Sequence, residues 1–174
     1  MAALSDLIRE VPDFPKEGIL FYDITTLLQD PQGLKQSIAQ LVDHYKDSGA
    51  DVVCATESRG FIFGPPIAMA LGAGFVPIRK PGKLPYKTKS ATYELEYGTD
   101  TIEMHIDAVK SGQKVLMIDD LLATGGTMKA SCDLVESFGG EIVGVGFVIE
   151  LDFLNGREKL SKYNVHSLVH YDKG

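Results

Sequence analysis

Two carboxylates, two glycines and two threonines stand close together in Asp119-Asp120-Leu121-Leu122-Ala123-Thr124-Gly125-Gly126-Thr127. Consecutive glycines let the backbone turn tightly and present bare N–H groups. The threonines add hydroxyl donors, and a helix starting behind them would point its positive end at the same spot. Those are the parts of a phosphate cradle. The acids before it suit sugar hydroxyls or a hard divalent cation. Glycines alone would fit a plain strand–turn–helix with a threonine cap. The acid pair and the flanking threonines shift the balance toward the cradle. No Lys-Ser/Thr pair follows the glycines, so the segment is not a nucleotide P-loop, and a G-x-G-x-x-G fingerprint is absent from the chain.

Two further groups could hold anions. Glu57-Ser58-Arg59-Gly60 is a polar turn with one guanidinium. Arg79, Lys80, Lys83, Lys87 and Lys89 form a basic cluster with no acid among residues 79–89. In a chain of net charge −7 that is a local inversion, suited to capturing a polyanion. The four histidines (His44, His105, His166, His170) have no metal-ligand spacing and no partnered nucleophile, so none is assigned catalysis. Cys54 and Cys132 read as small buried residues of a reducing compartment.

The elements that must position these groups alternate. An amphipathic helix carries Leu34, Ile38, Leu41, Val42 and Tyr45 after Asp30-Pro31. Asp51–Ala55, Phe75–Ile78, Lys114–Ile118, Glu141–Leu151 and Val165–Val169 read as strands. The two aspartates are thereby expected just past a strand tip. One helix is expected to begin near Pro65 or Pro66, where a first turn tolerates proline, and another to run from about Thr127 to Phe138, ended by Gly139-Gly140. Ser90 to Tyr97 alternates as an exposed hairpin would. The pattern predicts an α/β fold with a mostly parallel twisted sheet flanked by helices, whose ligands sit beyond the carboxyl ends of the strands. Length and composition (174 residues, 44% hydrophobic, 24% charged) fit a single domain over 1–174. The acidic balance argues against nucleic acid and anionic membranes as partners. The N-terminus lacks a basic, then apolar, leader, and the uncharged run Phe61–Ile78 is broken by Pro and Gly, so a cytoplasmic protein is expected.

The segment VLMIDDLLATGGT resembles the signature of the type I phosphoribosyltransferases, which use 5-phosphoribosyl 1-diphosphate. Four more segments, in the family's order, are similar to its adenine-using branch: Phe14–Phe21, Glu57–Phe61, Arg79–Pro85 and Tyr93–Gly98. The resemblance implies transfer of a phosphoribosyl group to adenine, with Mg²⁺ and a homodimer. It implies that Ala123, Thr124, Gly125, Gly126 and Thr127 hold the 5′-phosphate. Asp119 and Asp120 would face the ribose and the Mg²⁺, partly through water. Glu57, Ser58, Arg59, Arg79, Lys80 and Lys83 would take the diphosphate. Residues 1–30 would form a hood in which Leu20, Phe21 and Tyr22, with Leu151, meet the base. A flexible loop and hairpin over about 79–106 would carry Glu96 as acid/base and Tyr97 as a closing aromatic. Many relatives have Arg where Tyr22 stands, and by periodicity alone Phe21 is a core residue. Use of another purine, or a non-catalytic donor-binding regulator, are the alternatives. The stretch Glu150–Arg157 also matches a family segment, with no role beyond that of Leu151.

Overall fold

A computed structural model describes residues 3–95 and 98–173. A 3-10 turn over Leu4–Leu7 leads into a small antiparallel hairpin, β1 (Arg9–Pro12) and β2 (Leu20–Asp23), then a short helix α1 (Thr25–Gln29). Helix α2 (Pro31–Tyr45) starts as its sequence dictates: Pro31 takes the first turn, and the Asp30 carboxylate accepts the Gly33 N–H at 2.6 Å. Then follow β3 (Val52–Thr56), α3 (Gly60–Leu71), β4 (Gly74–Ile78), the hairpin β5 (Thr88–Glu94) and β6 (Thr99–His105), β7 (Lys114–Leu122), α4 (Gly126–Glu136), β8 (Glu141–Leu151) and β9 (Val165–Tyr171).

Five strands form one parallel sheet in the order β4-β3-β7-β8-β9, as expected for βα alternation. Both faces are covered, so the middles of its central strands, Val52–Ala55 and Val115–Ile118, are apolar. Leu116 and Ile118 of β7 join one cluster with Leu41, Tyr45, Phe63 and Ile67 from α2 and α3. Val115 and Met117 face the other way, onto Cys132 and Val135 of α4 and Ile102 and Met104 of β6. Both cysteines are free and buried. Among the described residues no helix is long and apolar enough to cross a membrane.

Three expectations need correction. Helix α3 begins at Gly60, not at the prolines, and Pro65 and Pro66 lie inside it. Each removes one ladder hydrogen bond. Burial of Phe63, Ile67 and Ala68 against the sheet holds the helix despite that loss. Strand β7 does not end at Ile118. Its pairing with β8 continues through Leu121↔Ile149 and Leu122↔Glu150, so Asp119 and Asp120 are strand residues. The hairpin β5–β6 is also less exposed than its composition suggested. Ile102 and Met104 are buried and anchor its base to the core.

Candidate active site

The carboxyl ends of β3 and β7 open into a cavity of about 380 Å³. It is lined by the turn Thr56–Arg59, by Lys80, by Tyr93 and Asp100 of the hairpin, and by the whole run Asp119–Thr127. Thus the polar turn, far away in sequence, shares one space with the acid pair and the glycine loop.

The loop is built as a cradle. Gly125 caps α4 with φ +78°, the left-handed region where any other L-residue is strained. No side chain caps this helix, so its first N–H groups remain as donors toward the cavity. Gly126 differs: a methyl there would meet only ordinary contacts, the nearest being the Tyr93 ring at 3.5 Å.

The acids are held from opposite sides. Asp119 accepts from the Thr56 hydroxyl and, at 2.9 Å, from the Asp120 N–H. Asp120 is paired with the Arg59 guanidinium. Burial pushes the Asp119 carboxyl well above the usual carboxylate range, and the neighbouring Asp120 charge adds to this. Among the described residues no cationic side chain forms an ion pair with Asp119. An oxygen-only donor pair, one carboxyl of which has no cationic partner, fits a hard dication such as Mg²⁺. A second acidic group, Glu150, Asp152 and His170, lies outside the cavity lining, and Arg157 already neutralises Glu150.

The cations are each matched to a carboxylate. Lys80 pairs with Asp100. Burial acts to lower the Lys80 ammonium, but the Asp100 bond and charge together with Tyr93 hold it above the ordinary range. Arg79 and Lys83 converge on Glu57, at 2.7 and 2.6 Å. Burial acts to raise the Glu57 carboxyl, but those two bonds hold it below its ordinary range. Both its oxygens therefore face cations, at the cavity edge. Ser58 is exposed beside them. An anion entering the cavity can take over the donors that the carboxylates now hold.

The hood is placed differently. Leu20, Phe21, Tyr22 and Leu151 do not line the cavity. The Tyr22 side chain is turned into the core. Its ring stacks on Tyr171 at 3.7 Å, and its hydroxyl donates to the Lys173 carbonyl at 2.6 Å. A large aromatic ring buries there what an Arg could not. Leu20 and Leu151 pack on the same cluster, which reaches the cavity through Leu121. Phe21 packs edge-on against Phe14, 5.1 Å between centroids. Glu96 and Tyr97 lie outside the described residues.

Three cavity residues were not singled out from sequence. Thr56 closes β3 onto Asp119. The Tyr93 hydroxyl accepts from Thr127 at 3.0 Å and donates to Asp100 at 3.3 Å, tying the hairpin to the start of α4. Tyr93 carried two signals, its place in the alternation of the hairpin and at the start of the family-like segment Tyr93–Gly98. Asp100 carried none, because an acid distant from its lysine leaves no mark until the chain is folded.

The phosphoribosyl transferase domain family matches residues 23–170. The chain belongs to that phosphoribosyltransferase family. Within it, the chain is 64% identical over 165 residues to the adenine phosphoribosyltransferase of Acetivibrio thermocellus, covering 94% of this chain and 96% of the relative. The crystal structure of adenine phosphoribosyltransferase from Thermoanaerobacter pseudethanolicus superposes with a TM-score of 0.93 at 53% identity, covering 97% of this chain and 98% of that one. The Saccharomyces cerevisiae adenine phosphoribosyltransferase, solved with adenine and an iminoaltritol bisphosphate, superposes with a TM-score of 0.90 at 42% identity, covering 95% and 96%.

Proposed function

We propose that this protein transfers the phosphoribosyl group of 5-phosphoribosyl 1-diphosphate to N9 of adenine, giving AMP and diphosphate in purine salvage. The observation that carries this reading is one cavity holding an uncapped helix start behind Gly125, the cations Arg59 and Lys80, and the acid pair. A phosphate, a diphosphate and a ribose need those three provisions. The yeast relative, solved with adenine and a bisphosphate, supports the choice of acceptor.

Ala123, Thr124, Gly125, Gly126 and Thr127 anchor the 5′-phosphate through backbone N–H groups and hydroxyls. Asp119 and Asp120 orient the ribose. The C1–O bond to the leaving diphosphate breaks ahead of the new C1–N9 bond, so positive charge builds on the ring. Fixed donors at Ser58, Arg59 and Lys80 then stabilise the departing negative charge, with Arg79 and Lys83 adding field at the rim. Glu57 contributes through those two cations and not through its own carboxylate. Mg²⁺, when bound, neutralises the diphosphate, and Asp119 and Asp120 would hold it, partly through water. Leu20, Phe21, the Tyr22 backbone and Leu151 wall the base. We assign residues 1–30 to a hood and 79–106 to a flap that closes on the site. On it Glu96 serves as acid/base at the purine and Tyr97 as the closing aromatic.

A homodimer fits the exposed apolar surface of α3, where Met69 is 82% and Ile62 38% exposed. Two buried free thiols fit a cytoplasmic setting. The test is AMP formation from donor and adenine, beside hypoxanthine, guanine and xanthine, with Mg²⁺ and with chelator. Turnover on adenine alone, lost in chelator, is the expected result. Turnover on another purine but not adenine overturns the acceptor. Donor binding without turnover on any purine makes the chain a regulator.

A further inference from the structure

The stretch Glu150–Arg157, which leaves the end of β8, contributes no residue to the cavity lining. Yet its turn touches the phosphate loop. Asn155 is left-handed (φ +52°), and buried Gly156 then packs backbone to backbone against the loop. A Cβ on Gly125 would lie 2.5 Å from the Gly156 carbonyl oxygen. A Cβ on Gly156 would collide with the Ala123 carbonyl. The loop thus has the anion cavity on one side and residue 156 on the other.

The next residue fixes that turn to the sheet. Arg157 meets Glu150 as a fork, Nε to Oε1 at 2.9 Å and Nη2 to Oε2, while Nη1 donates to the Val165 carbonyl at 2.9 Å. The Ser167 hydroxyl adds a bond to Glu150 Oε2 at 2.6 Å. Glu150 is only 3% exposed. A bidentate pair backed by a third donor fixes geometry as well as charge.

We propose that the Glu150–Arg157 fork is a positioning device. It holds Gly156 as the rear wall of the Ala123–Gly125 loop, and so sets the aim of the N–H groups that take the 5′-phosphate. This rests on the cradle reading above. It assigns positioning roles to Glu150, Arg157 and Gly156.

The test uses the full chain with two variants. Glu150→Gln with Arg157→Met removes the fork without stranding a buried charge. Gly156→Ala leaves every ion pair intact and pushes directly on the loop. Each is measured for KM of donor and of adenine, and for ribose 5-phosphate affinity by calorimetry. We expect donor KM and ribose 5-phosphate Kd to rise about 10- to 100-fold, with adenine KM within about twofold. Folded variants with unchanged donor KM and unchanged ribose 5-phosphate affinity overturn the inference. Should the double variant not fold, the Gly156→Ala result decides alone. Wild-type protein that binds ribose 5-phosphate but converts no adenine defeats the functional reading, and the calorimetric comparison still judges the rear wall.

Discussion

Asp119 shows the tension between stability and chemistry at one residue. Its carboxyl titrates well above the usual range because burial disfavours the charge and Asp120 repels it. A carboxyl raised on folding stabilises the fold while protonated, and that contribution is lost as pH rises through its folded pKa. Ionising Asp119 in the folded, ligand-free protein therefore costs stability. Asp119→Asn is expected to raise the melting temperature, by a margin that grows as pH rises above about 4. It should lower kcat/KM by at least about 100-fold, because the ribose and Mg²⁺ lose their carboxylate. Thermal melts from pH 4 to 8 beside initial rates check both halves. A destabilised yet fully active variant would contradict the assignment.

At the scale of elements, the loop between β7 and α4 treats its two glycines differently. Gly125 needs a left-handed backbone and meets the Gly156 carbonyl, whereas Gly126 begins the helix with room beside it. Gly125→Ala should cost about 1–2 kcal/mol from backbone handedness, with the collision added, and should abolish measurable donor binding. Gly126→Ala should leave stability within about 1 kcal/mol of wild type, since alanine favours a helix over glycine. Denaturant melts and donor titration of the pair read this out. Equal behaviour of the two would refute the geometry of the cradle. The same scale explains the hairpin: buried Met104 and Ile102 clamp its base to the core.

For the whole molecule, acid sensitivity follows from carboxylates held by partners. Glu57 and Glu150 both feel burial raising their carboxyls, yet their Lys and Arg hydrogen bonds carry them below the ordinary range. Groups depressed on folding stabilise the protein above their unfolded pKa, and that stability is lost as pH falls through the folded value. Stability should therefore drop as pH is lowered below about 4. The Glu150→Gln, Arg157→Met variant should show a shallower decline. Melting curves across pH 2.5–5 check it, and an unchanged slope in the variant would remove Glu150 from the account. Asp119 opposes this trend only above its own ordinary range, so the two effects separate in pH.

Much of the site was legible in the chain because its chemistry is local. Gly125, the acids and the helix start lie in one segment, and turn, cap and strand propensities act over a few residues. The alternation of strands and helices likewise implied a parallel sheet. The ends of β7 and α3 were misread because tertiary pairing with β8 and burial under the sheet override local signals. Tertiary structure alone decided which charges meet: Lys80 with Asp100, Arg59 with Asp120, Arg157 with Glu150. It alone turned Tyr22 into the core and set Gly156 behind the loop. Those contacts depend on the strand order β4-β3-β7-β8-β9, which brings together segments that no short-range rule connects.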